Sequence, residues 1–87
     1  MNETKKVVRL YYVRLGHKHC YDINVTDNLT YDILKKVCDM SGVLLSEAAT
    51  IEDMREVLSK KYITDNVIHY TFLNESKENE EILNLAL

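Results

Sequence analysis

Lys6-Val7-Val8-Arg9-Leu10-Tyr11-Tyr12-Val13-Arg14-Leu15 is the stretch that decides the fold. β-Branched and aromatic residues dominate it, the types that fit a pleated surface. Val8, Leu10 and Tyr12 fall on one period-two face, and Val7, Arg9, Tyr11 and Val13 on the other. Both faces carry apolar side chains, which predicts a central or partly covered strand. Gly16, His17 and Lys18 then read as a short hairpin loop. The alternation resumes over residues 19–25, with Tyr21, Ile23 and Val25 inward and Asp22 and Asn24 outward. A β-hairpin opens the chain.

Thr26-Asp27-Asn28 follows, offering side-chain oxygens to the free N–H groups that begin a helix. Leu29, Ile33, Val37 and Met40 recur at helical spacing, with Leu34 and Cys38 beside them and Lys35 and Lys36 on the far side. Ser41-Gly42 closes this helix, because glycine accepts the left-handed cap conformation. Thr50-Ile51-Glu52-Asp53 has the form of a capping box, and Ile51, Met54, Val57 and Leu58 give the second helix a narrow apolar stripe. Thr64-Asp65-Asn66 is a turn cluster. Residues 67–73 read as a strand with Ile68, Tyr70 and Phe72 on one face.

Residues 74–87 are read as an acidic loop, Asn74 to Glu81, followed by an apolar C-terminal segment. In that segment Leu83, Leu85 and Leu87 alternate as in a strand, while Glu80, Glu81, Leu83 and Ala86 favour a helix. Eighty-seven residues make one domain. The order ββααβ predicts an α+β fold: a small, mostly antiparallel sheet of three or four strands, one helix packed across it and a second short helix. A right-handed crossover would set residues 67–73 parallel to the first strand.

That order resembles the ubiquitin-like β-grasp superfamily over residues 6–73. The likeness rests on the hairpin from Val7 to Val25, on Asp27-Asn28-Leu29 leading into a helix with Ile33 and Val37, and on Gly42-Val43 closing it. Thr50-Ile51-Glu52-Asp53 ahead of Val67-Ile68-His69-Tyr70-Thr71-Phe72-Leu73 is similar to the short turn and final strand of such domains. The middle strands of the family are reduced here to Val43 to Leu45. The paired C-terminal glycines used for conjugation are missing, which speaks against a modifier or sulfur-carrier role. The resemblance implies a non-enzymatic binding domain.

Lys plus Arg total 11 and Asp plus Glu 14, a net charge of −3, and 46% of residues are hydrophobic. This composition excludes collagen-like, disordered and membrane-spanning chains. Charge is uneven: residues 1–36 carry +3 and residues 37–87 carry −6, so one end favours an acidic partner. The N-terminus Met1-Asn2-Glu3-Thr4-Lys5-Lys6 has no signal-peptide apolar run. Cys20 and Cys38 then read as free thiols of a cytoplasmic protein.

Chemistry finds little support. His17, His19 and Cys20, with Cys38 or His69 as a distant fourth group, lack the spacing of a zinc site, and strand alternation sends His19 and Cys20 to opposite faces. A nucleophilic thiol needs a base and an orienting group, yet Cys38 on the apolar side of its helix reads as buried and inert. The more exposed Cys20 has no glycine-rich oxyanion loop, and two glycines this far apart cannot build a phosphate-binding loop. The expectation is no enzyme, no cofactor and no metal. Arg9, Tyr11, Arg14, His17 and Lys18, extended by Lys5 and Lys6, interleave bases with an aromatic. They support one alternative, a single-stranded nucleic-acid binder, although a pI near 5.5 opposes it.

Surplus apolar surface in residues 7–13 and in Leu83, Leu85 and Leu87 predicts a protein-protein interaction domain, with a homodimer as one form. The tail either adds an edge strand or covers the open face of the sheet. If it is an interface, deleting residues 82–87 changes the oligomeric state. The predicted partner surfaces are Arg9, Tyr11, Arg14, His17 and Lys18 on the hairpin and Leu83, Leu85 and Leu87 on the tail. The absence of Pro, with a usage rich in Asn, Lys and Ile, suits a low-GC bacterium or its phage. A phage-encoded inhibitor of a host protein is therefore the other alternative.

Overall fold

The computed structural model describes residues 6–73 and 80–86. Lys5, the acidic stretch 74–79 and Leu87 lie outside those residues. The elements are β1 (Lys6–Arg14), β2 (His17–Val25), α1 (Leu29–Met40), α2 (Ile51–Lys61), β3 (Val67–Phe72) and β4 (Glu80–Asn84). They form an α+β domain whose sheet runs β2-β1-β3-β4 with every pairing antiparallel. Val8, Leu10 and Tyr12 of β1 and Ile68 of β3 face the helices. They meet Ile33, Leu34, Val37 and Cys38 of α1 and Met54 and Leu58 of α2 in one core.

The local signals act as their chemistry dictates. The Asn28 side chain accepts from the backbone N–H of Tyr31 at 3.1 Å, capping α1. Thr50 and Asp53 complete a reciprocal capping box on α2, at 3.1 and 3.0 Å. At the far end of α1, Gly42 takes φ +78, the N–H of Val43 returns to the Cys38 carbonyl at 3.0 Å, and that of Gly42 to Asp39 at 3.2 Å. This is a Schellman closure, which leaves Val43 packed on the core. Met40 does not belong to the buried stripe: it is 41% exposed, one turn past Val37 where α1 leaves the sheet.

Three further expectations are corrected. The hairpin loop is only Leu15-Gly16: β2 begins at His17, paired with Arg14. Strand β3 runs antiparallel to β1, not parallel, with Tyr11 opposite His69 and Val8 opposite Phe72. The reason is the placement of α2, whose C-cap carbonyl, Tyr62, accepts from Leu15 N–H at 3.3 Å. The chain therefore enters β3 at the hairpin end, where β1 finishes. Third, Glu80 and Glu81 are not loop residues. They open β4, which pairs with β3 through Glu80 opposite Thr71 and Leu83 opposite Ile68.

Leu15 sits at φ 52 and Gly16 at φ 82, the paired left-handed conformations of a primed two-residue turn. Leucine has no local reason to adopt that conformation, whereas asparagine accepts it. With Leu15 60% exposed, little packing is at stake. Leu15→Asn is expected to stabilise the domain by about 1 kcal/mol, read as a higher urea midpoint at unchanged slope. An unchanged or lower midpoint would show that the leucine side chain is what holds the turn.

Candidate functional site

Because the helices and the core lie on one side of the sheet, the other side is uncovered among the described residues. Strand alternation and register assign its occupants. One row across the four strands is Cys20, Tyr11, His69 and Ile82, and the next is Asp22, Arg9, Thr71 and Glu80. Val7 and Val13 flank them on β1, and Val67 on β3. Tyr11, Val7, Val13 and Val67 are half-buried, and Ile82 is 58% exposed.

The charges on this face are paired. The Arg9 guanidinium donates two hydrogen bonds to Asp22, at 2.8 and 3.0 Å, a bidentate bridge between neighbouring strands. Those bonds hold the Asp22 carboxyl below the usual carboxylate range. The Tyr11 ring stacks on His69 with centroids 5.0 Å apart and planes within 7°. Glu80 ties the pair down: its carboxylate accepts from the Tyr11 hydroxyl through Oε1, and His69 Nδ1 lies 3.1 Å from Oε2. A carboxylate only accepts, so Nδ1 carries the hydrogen. The centre of the face is a stacked aromatic patch held by Glu80, with polar bridges beside it and aliphatic residues around it.

The hairpin residues expected to act together are divided. Arg9, Tyr11 and Lys18 belong to the uncovered face. Arg14 and His17, paired with each other, alternate to the helix side, where the Arg14 Nε is buried without a hydrogen-bond partner among the described residues. His19 and Cys20 leave opposite faces; His19 stacks with Tyr12 at 5.4 Å. On the tail, Leu85 is 1% exposed and belongs to the core, and Leu83 packs against that core. The tail therefore extends the sheet as an edge strand instead of covering its face, and its apolar side is used within this chain. Leu87 lies outside the described residues.

Sequence reasoning did not place His69, Glu80 or Ile82 at this site. His69 was accessible to it, since 69 has opposite parity to the inward Ile68, Tyr70 and Phe72. Glu80 was hidden by its acidic neighbours.

Away from that face, a groove of about 400 Å³ runs between β2 and α1 and is lined by Asp22, Asn24, Asp32, Lys35, Lys36 and Asp39. Its charges largely answer one another. Lys35 Nζ lies 3.6 Å from Asp39, and Asp32 accepts from both the N–H and the hydroxyl of Thr26. Among the described residues no helix is long and apolar enough to cross a membrane. No family model matches the chain, and no curated protein or solved structure is found to be similar to it.

Proposed function

We propose that this chain is a non-catalytic protein-protein interaction domain, an adaptor or regulator, that binds through the uncovered sheet face. The observation that carries the reading is the stacked Tyr11–His69 pair at its centre, bordered by the exposed Ile82. Pre-ordered aromatic side chains lose little entropy on binding, and such residues carry interface energy more often than others. The kinship with ubiquitin-like β-grasp domains belongs to the same proposal, and its support is architectural: an antiparallel four-stranded sheet with two packed helices. Two free thiols, Cys20 exposed and Cys38 buried, suit a reducing compartment, so the proposal takes the cytoplasm as its place.

Single-stranded nucleic acid fits this face less well. Its stacking platform exists, but Asp22 answers Arg9, and Glu80 holds Tyr11 and His69. Phosphates approaching the platform meet two carboxylates.

The test is affinity capture from source-cell lysate, run with and without nuclease, with three baits: wild type, Ile82→Asp and Leu44→Asp. Leu44 is 98% exposed between the helices and serves as the control. A discrete protein retained by wild type and Leu44→Asp, and weakened about tenfold or more by Ile82→Asp, is the expected result. Equal retention by all three baits, or binding that vanishes with nuclease, would overturn the reading.

A further inference from the structure

Strand β2 ends the sheet, and its outer edge has no neighbouring strand among the described residues. Leu73 N–H donates to the Val7 carbonyl at 2.9 Å, so odd-numbered residues of β1 turn their backbone groups to β3 and even-numbered ones to β2. Their opposites, His17, His19, Tyr21 and Ile23, direct theirs back to β1. The N–H and C=O groups of Lys18, Cys20, Asp22 and Asn24 therefore point off the sheet, where no other strand lies among the described residues.

We propose that this edge pairs with the same edge of a second copy of the chain, antiparallel and centred on Cys20. In that register each outward-pointing residue meets another outward-pointing one, as a hydrogen-bonded ladder requires. Lys18 of one copy stands opposite Asp22 of the other, and the two-fold axis repeats the pair. His19 meets the other copy's Tyr21, continuing on the helix side the stack that already joins Tyr12, His19 and Tyr21. Moving the centre to Asp22 or to Lys18 would bring like charges face to face, and centring on Tyr21 would leave Lys18 opposite Asn24. The sequence Lys18-His19-Cys20-Tyr21-Asp22 is thus self-complementary in one register. Charges on an edge strand ordinarily guard it against pairing; here Lys18 and Asp22 are of opposite sign and symmetric about Cys20, so in this register they attract.

The product is a continuous eight-stranded sheet with both helical layers on the same side. The Tyr11–His69 centre and Ile82 of the uncovered face stay open in this assembly, with Lys18, Cys20 and Asp22 at the seam between its two halves.

Light scattering of wild type and two charge variants tests the register. Wild type is expected to show a dimer mass at concentrations up to about 0.5 mM, the range that captures weak association. Lys18→Glu and Asp22→Lys should each be monomeric, because each places like charges opposite one another twice. Mixed in equal amounts, the two variants should recover the dimer, since both opposite-charge pairs re-form only between unlike chains. A bismaleimide should link wild-type chains through Cys20, exposed and central, and not through the buried Cys38; Cys20→Ser should abolish the link but keep the dimer mass. A monomeric wild type, or a dimer that either single charge variant leaves intact, would overturn the proposal.

Discussion

Deleting residues 82–87 is expected to unfold the domain, and Leu85→Ala alone to cost about 2–5 kcal/mol. Leu85 lies just beyond β4, yet it is 1% exposed among Ile68, Ile33 and the other core residues, and its N–H donates to the Asn66 carbonyl at 2.7 Å. The deletion also removes Ile82, Leu83 and Asn84, which pair with His69, Ile68 and Val67. A domain of this length has about 4–13 kcal/mol of stability, so the loss of one strand and one buried leucine exceeds or nearly exhausts it. The expected readout is loss of amide dispersion in a two-dimensional NMR spectrum for the deletion, and a lowered urea midpoint for Leu85→Ala. A truncated chain that keeps a cooperative transition would show that the core closes without its last strand. The earlier expectation, a changed oligomeric state after this deletion, presupposed a free apolar tail.

Alkaline pH is expected to destabilise the protein steeply, beginning near the ordinary cysteine range. Burial pushes the Cys38 thiol from 9.0 up to about 11, with the Asp39 charge adding to it. Burial likewise pushes the Tyr12 hydroxyl from 10.0 up to about 12, helped by Tyr21. Unfolded chains release these protons first, so between the two sets of values the unfolded state binds fewer protons and gains relative to the folded one. Stability is full below about pH 9 and falls until the folded values are passed, by about 2–3 kcal/mol for each group. Tyr12→Phe separates the two contributions. The Tyr12 hydroxyl is buried beside Ser41 and Tyr21 without a well-formed hydrogen bond to either, so its removal should change stability at neutral pH by no more than about 1 kcal/mol. The decline from Tyr12 should vanish with it, leaving the part due to Cys38 and to Tyr70, whose hydroxyl burial also pushes up. Urea midpoints measured from about pH 8 to pH 12 would show this; a wild-type profile flat to pH 11 would mean that the core does not hold these groups neutral.

What could be read from the sequence is what depends on neighbours in the sequence. Alternation in residues 6–25, the Asn28 cap, the Thr50–Asp53 box and the left-handed Gly42 are all decided within a turn or a hairpin, and all appear in the structure. The direction of β3 was not legible. It depends on where α2 delivers the chain, and that rests on the meeting of Leu15 with Tyr62. Strand β4 was obscured because Glu80 and Glu81 look solvated by type, whereas Glu80 finds Tyr11 and His69 only after two long-range pairings have formed. The candidate site divides in the same way. Arg9 and Tyr11 were legible from parity, while grouping them with Arg14 and His17 ignored that same parity.

The central position of β1 has a kinetic consequence. Its partner β2 is present once the first third of the chain exists, joined by a two-residue turn, whereas its partner β3 lies in the last quarter. On the ribosome the hairpin therefore precedes the rest of the sheet, with the inner edge of β1 bare until residues 67–72 emerge. Closing that long loop is the entropically costly step of folding. Substitutions in the hairpin should mainly slow refolding, while those in β4 should mainly hasten unfolding. Until β3 arrives, the nascent chain presents an unpaired strand edge at what will become the middle of the sheet, and that interval is when mispairing with another chain is most accessible.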